Sequence, residues 1–190
     1  MKGKSLSYCS QVSPFNCHAY LSPGLIKIGC LLFAFLIEFL ALHMIWTAHS
    51  TVATVVEQDG KFLMVEEIDN GCTVFNQPAG HLDEGETLFT AAIRETLEET
   101  AWHVTLTAFL GNYVYKAPNG LTYVRHCFIA TPDSHDATLP LDEGIIAAHW
   151  LGTETIFSDN FAPRSPLVGK AIEDYLGGQR MPLDVIQHFI

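Results

Sequence analysis

Gly80 to Trp102 reads GHLDEGETLFTAAIRETLEETAW, a glycine-bearing loop followed by a run free of glycine and proline from Glu86 onward. On a helix turning about 100° per residue, Glu95, Glu98 and Glu99 fall within an arc of about 100°, and Phe89, Ile93, Thr96 and Leu97 gather around the opposite side. The pattern predicts a helix over Thr87 to Thr100 that buries the second group and presents three carboxylates on its other face. Like charges three and four residues apart repel one another. A solvated acidic face would tolerate that repulsion in water, whereas a divalent cation held among the three would remove it. Carboxylate oxygens are hard ligands, which suit Mg2+, with Mn2+ as a substitute, better than zinc or copper.

The flanking sequence supplies mostly strands. Thr51 to Val56 (TVATVV) and Phe62 to Val65 are apolar runs on either side of Asp59-Gly60, a hairpin signal. Thr73 to Gln77 reads as a short strand stopped by Pro78-Ala79-Gly80. Thr105 to Tyr115 and Leu121 to Ala130 read as long paired strands around a tight Asn119-Gly120 turn, and Ala147 to Leu151 as a last strand. Ser165-Pro166 predicts a second helix, with the serine hydroxyl as cap and the proline at the first helical position, ended by Gly177-Gly178. Strands and helices in this order predict an α+β sandwich with a mixed β-sheet.

Of the 190 residues, ten are basic and 21 acidic. Residues 1 to 43 carry Lys2, Lys4 and Lys27 against Glu38, leaving seven basic and 20 acidic side chains, a net −13, in the remainder. Such a domain repels the phosphate backbone of duplex nucleic acid, and an anionic small molecule needs a cation as mediator. Cys72 and Cys127, the two cysteines after residue 31, lack metal-ligand spacing; they read as packing residues of a reducing compartment. Ile28 to Trp46 is apolar and just long enough to cross a bilayer, although Glu38 lies near its middle. Three readings stay open for residues 1 to 43: a membrane segment, a cleaved signal, or an over-extended gene call with translation starting at Met44. The third is preferred, giving a domain over residues 44 to 190 in the cytoplasm.

Gly80, Glu86, Arg94, Glu95, Glu98 and Glu99 stand at the spacing G-x5-E-x7-R-E-x-x-E-E. This resembles the box of the Nudix hydrolases, G-x5-E-x7-R-E-U-x-E-E-x-G-U. Phe75-Asn76-Gln77-Pro78-Ala79-Gly80-His81-Leu82, Arg164-Ser165-Pro166-Leu167-Val168 and Gly178-Gln179-Arg180 resemble the NudJ-type phosphatase branch of that family, from about His49 to the carboxyl end. The resemblance implies an α/β/α sandwich in which Glu95, Glu98, Glu99 and the Ala79 carbonyl hold metal. It further implies that Glu86 and Arg94 brace the loop and helix beside Gly80, that Glu98 or Glu99 acts as base, and that Asp142 or Glu143 adds a later acid.

The implied reaction is metal-dependent release of phosphate from nucleoside tri- and diphosphates, thiamine pyrophosphate or hydroxymethylpyrimidine diphosphate, by a monomer. Arg125 and Arg164 are candidates for binding substrate phosphates, Phe75 for stacking on a base, and His81 for a surface position in the box loop. Three positions depart from the pattern: Thr96 and Trp102 replace aliphatics, and Ala101 replaces a glycine that ends the helix with positive φ. Alanine there costs roughly 1 kcal/mol if that geometry is kept, so an altered helix end is expected. The competing class is a non-catalytic nucleotide-diphosphate binding module, against which the intact Arg-Glu-x-x-Glu-Glu weighs.

Overall fold

Asp59 and Gly60 both take positive φ, 52° and 76°, and fold strand β1 (His49–Gln58) back onto β2 (Lys61–Asp69). Asn70 and Gly71 repeat the device at 50° and 79° and lead into β3 (Cys72–Asn76), a turn absent from the expectations above. The computed structural model describes residues 46–190; the apolar stretch before Trp46 and the division at Met44 lie outside those residues. Among the described residues no helix is long and apolar enough to cross a membrane.

The remaining elements are β4 (Ala79–His81), α1 (Leu88–Thr100), β5 (Trp102–Lys116), β6 (Thr122–His135), β7 (Ile145–Gly152), α2 (Thr153–Ile156) and α3 (Leu167–Leu176), with a 3-10 turn at Leu183–Val185. The sheet runs β3-β2-β1-β6-β5, with β4 on β1 and β7 on β2. Among the described residues only β1 and β6 pair in parallel, over His49–Val56; the other strand pairs are antiparallel, so the sheet is mixed as expected. Alternation along β1 and β6 divides the core. Val52 and Phe128 pack with Ala91 and Ala92 of α1, whereas Ala53, Val55, Cys127 and Ile129 pack with Val168, Ala171 and Ile172 of α3. Helices on both faces make the α/β/α sandwich.

Several expectations need correction. Pro78-Ala79-Gly80 is not a plain break, because Ala79–His81 adds a short strand to β1. The Asn119-Gly120 turn is wider than two residues and spans Ala117 to Leu121, because Ala117 accepts from the Gly120 amide and donates to the Leu121 carbonyl. At α3 it is Pro166, at φ −59° and ψ −20°, that occupies the cap, and no side chain caps the helix. The chain is already in a helical turn there, so the Ser165 carbonyl accepts from Val168 and the Ser165 hydroxyl is buried without a partner. Cys127 is core, but Cys72 is exposed just past the Asn70-Gly71 turn.

Ala101 keeps the left-handed conformation, φ 57° and ψ 19°, and its amide bonds the Leu97 carbonyl at 2.7 Å. The expected altered helix end is absent, so the alanine carries the steric cost. Ala101→Gly should therefore gain up to about 1 kcal/mol, net of the lost buried methyl, while Ala92→Gly inside α1 loses at least that much. Urea midpoints at constant slope would show the opposite signs; two equal losses would contradict the account. The other box departures are absorbed by packing. The Thr96 hydroxyl lies 2.6 Å from that of Thr54 on β1 and donates to the Ala92 carbonyl, and Trp102 packs edge-to-face on Trp150.

Candidate active site

The buried stripe of α1 is Ala91, Ala92, Glu95, Thr96 and Thr100, while Ile93 is exposed. This is a rotation from the face expected from bulky residues, and it turns the acidic edge of the helix inward. Small side chains let α1 approach β1 and β4 closely, and Glu95 is carried in with them at 9% exposure. Its carboxylate lies directly over Gly80: a Cβ on that residue would stand 2.1 Å from Glu95 Cδ.

Arg94 does more than brace the loop. Its Nε and Nη2 each donate to one oxygen of Glu86 at 2.8 Å, and Nη2 also reaches the His81 carbonyl at 3.1 Å. Nη1 donates to Glu95 Oε1 at 2.8 Å and Glu98 Oε2 at 2.9 Å. The bonded guanidinium holds the Glu86 carboxyl below its usual range, and Glu86 first, with Glu98 and Glu95, raises the arginine. His81 itself is exposed, as expected, and contributes its backbone.

Glu99 Oε2 accepts from the Ala79 amide at 2.8 Å. Ala79 lies between Pro78 and Gly80, which pair with β1, so its amide and carbonyl both leave the strand on the edge facing α1. Burial pushes the Glu99 carboxyl up to about 8; the Ala79 bond and the Arg164 charge oppose this, and Glu95 and Glu67 add to it. Burial likewise raises Glu95 against the pull of Arg94.

A folded-state value above the ordinary 4.5 means that Glu99 favours folding below that pH and loses this contribution as pH rises toward 8. Metal-free protein is expected to lose stability between about pH 5 and 8, by at most about 1.4 kcal/mol per unit from this group. Thermal melts in chelator across that range, compared with Glu99→Gln, isolate the effect from the oppositely shifted His126. Identical slopes in the two proteins would refute it.

Of the two later acids, the fold brings Asp142 to the site. Both are exposed, but the Asp142 amide donates to the Glu98 carbonyl at 3.1 Å and its charge reaches Glu95. Arg164 lies half-exposed with Nη1 on Glu67. Arg125 donates to Asn76 Oδ1 at 3.2 Å, its Nε has no partner, and burial lowers its pKa. Phe75 is set apart from these groups. It stacks on Phe161 at 5.0 Å and, with its strand partner Glu66 and His149, lines a cavity of about 300 Å3, while neighbouring Glu67 and Asn76 point to the other strand face. Glu67 was missed in the sequence; its signal is the pair Glu66-Glu67 ending an apolar strand, where alternation sends one carboxylate inward.

Among the described residues no three His, Cys, Asp or Glu side chains converge tightly enough to enclose an ion, because Arg94 and the Ala79 amide engage the oxygens. The charges nonetheless fit a divalent cation. Among the described residues Glu67, Glu86, Glu95, Glu98 and Glu99 face Arg94, Arg125 and Arg164, a formal excess of two carboxylates. A buried oxygen of Glu67 also lacks a partner. All available donors are hard oxygens, which suit magnesium-like ions.

The profile of the NUDIX domain matches residues 47–170. Phosphatase NudJ of Escherichia coli O1:K1 is 41% identical over 141 residues, covering 74% of this chain and 92% of its own, and that of Shigella flexneri matches equally. A NUDIX hydrolase structure from Nitrosomonas europaea superposes with a TM-score of 0.73 at 42% identity, covering 75% of this chain and 98% of that one. A C. elegans Ap4A hydrolase, at 20% identity and a TM-score of 0.56 over 69% of this chain and 97% of its own, shares the fold alone. With the helix of glutamates set against Gly80 and the match spanning most of the sequence, the chain belongs to the NUDIX family and is a phosphohydrolase of it.

Proposed function

We propose that this protein releases phosphate from nucleoside tri- and diphosphates and from thiamine pyrophosphate or hydroxymethylpyrimidine diphosphate, with Mg2+, replaceable by Mn2+, as cofactor. The observation that carries the reading is the meeting of the Ala79-Gly80 strand edge with α1, where Glu95 rests on Gly80 and Glu99 on the Ala79 amide. Similarity to Phosphatase NudJ over most of the chain supports the phosphatase chemistry. Glu95, Glu98, Glu99 and the Ala79 carbonyl would hold the ion. Bound there, it supplies charge neutralisation to the diphosphate and acidifies a water.

The chain's own residues do the rest. Glu98, its side chain 39% accessible against 12% for Glu95, accepts the proton of the attacking water; Glu99, pinned to Ala79, serves as ligand. Arg94 and Glu86 keep helix and loop in register. Arg164 and Arg125 bind substrate phosphates, whereas Phe75, stacked on Phe161 on the other strand face, stands outside this site. The domain is residues 44 to 190, acting as a cytoplasmic monomer.

The test is phosphate release from a panel of nucleoside tri- and diphosphates, thiamine pyrophosphate and nucleotide sugars, with Mg2+, with Mn2+ and with chelator. Metal-dependent turnover that ranks the diphosphates above the sugars supports the proposal. Ligand binding without turnover would turn the assignment to the binding module.

A further inference from the structure

Glu67 adds to the acidic excess of the site but has no role in the proposed reaction, and it is only 7% exposed on β2, with Oε2 taking a hydrogen bond from Arg164 and Oε1 buried without a partner. A buried carboxylate with an unpaired oxygen costs stability, and such ion pairs are often replaced by apolar groups without loss. The fold therefore has little use for it, and locally costly groups of this kind are expected at functional sites.

Arg164 shows what the carboxylate does. Its backbone is anchored along the edge of β3, where the Phe75 amide donates to the Ala162 carbonyl and the Arg164 amide donates to the Phe75 carbonyl, each at 2.8 Å. That fixes the root of a long side chain. The side chain, 41% exposed, would otherwise sample many rotamers, and Glu67 holds its guanidinium by Nη1 alone. Of the five N–H donors of a guanidinium, the other four make no hydrogen bond among the described residues. Phe62 and Met64 of β2 pack with α3, so alternation puts Glu67, and the guanidinium it holds, on the α1 side of the sheet.

We propose that Glu67 is a positioning residue for the reaction: it orients the Arg164 guanidinium beside α1 so that its free N–H groups receive a phosphate of the diphosphate substrate. This rests on Arg164 as a phosphate-binding group. A fork-shaped donor set matches two oxygens of one phosphate, and a fixed fork loses less freedom on binding than a mobile one.

The experiment uses the full chain and four variants, Glu67→Ala, Glu67→Gln, Arg164→Ala and the double alanine, measuring kcat and KM for the best diphosphate of the panel, Mn2+ affinity without substrate, and melting temperature. Glu67→Ala is expected to raise KM about tenfold, the scale of one charge-assisted hydrogen bond, with kcat nearly unchanged. Glu67→Gln, which keeps volume and an acceptor, should fall between it and the native protein and guards against misfolding. If Glu67 acts through Arg164, the double variant is no worse than Arg164→Ala, and Mn2+ affinity is unchanged throughout. Multiplying losses, or weakened Mn2+ binding in Glu67→Ala, would make Glu67 a cation ligand; a lowered melting temperature with native KM would make it structural; both overturn the proposal. A native KM in Arg164→Ala overturns the phosphate-binding reading itself, whereas a raised KM there with native Glu67→Ala overturns only the role of Glu67.

Discussion

Glu98→Gln is expected to lower kcat for phosphate release by about 10²- to 10⁴-fold, the range seen when a positioned proton acceptor is removed. The amide is nearly isosteric, and its remaining oxygen can still accept from Arg94 Nη1, now at 2.9 Å from Glu98 Oε2. Glu86 continues to hold the other edge of the guanidinium with two bonds, so the loop and helix stay together. Melting temperature should therefore move little. Both substitutions alter a group proposed to hold the ion, but Glu99→Gln also changes a buried carboxyl bonded to Ala79 and should weaken Mn2+ binding the more, together with turnover. Single-turnover rates at saturating Mn2+ separate the two cases. A Glu98→Gln protein within about threefold of native would exclude Glu98 as the base and shift that role to Glu99.

The spacing of Gly80, Glu86, Arg94, Glu95, Glu98 and Glu99 was legible because each contact it encodes is local: a loop folded against the helix that follows it. Arg94 reaching Glu86, Glu95 and Glu98 needs only helical geometry and one turn of loop. The buried face of α1 was not legible from a wheel weighted by size. Ala91, Ala92 and Thr96 are inside because the sheet is close, and closeness is a tertiary property that small residues permit without announcing. Ile93, bulkier and expected inside, is exposed for the same reason. Glu67 and Asn76 were missed because their roles depend on Arg164 and Arg125, 97 and 49 residues away along the chain. The Ser165 cap failed on a shift of a single residue, within the ordinary uncertainty of a helix start.

Gly80→Ala should cost function far more than stability without altering any charge. Gly80 is absent from the positive-φ positions, so its backbone accepts alanine without strain. The obstacle is the Glu95 carboxylate, all three of whose terminal atoms would lie within 2.2 Å of the new Cβ. A side-chain tip moves far more cheaply than backbone, so the chain is expected to fold with a loss of roughly 1 to 2 kcal/mol, within the range of ordinary single substitutions. The carboxylate must then leave both Gly80 and Arg94 Nη1, its 2.8 Å partner. Misplacing a site group by about an ångström can cost on the order of 100-fold in rate, and that is the loss expected here. Glu95→Asp in the same chain shortens the side chain by one methylene, about the depth the new methyl occupies, and should restore part of the Mn2+ affinity. The doubly substituted protein would then bind Mn2+ better than Gly80→Ala alone, although aspartate by itself weakens binding. Turnover near native in Gly80→Ala would mean that Glu95 works from another position than the one it holds against the strand edge.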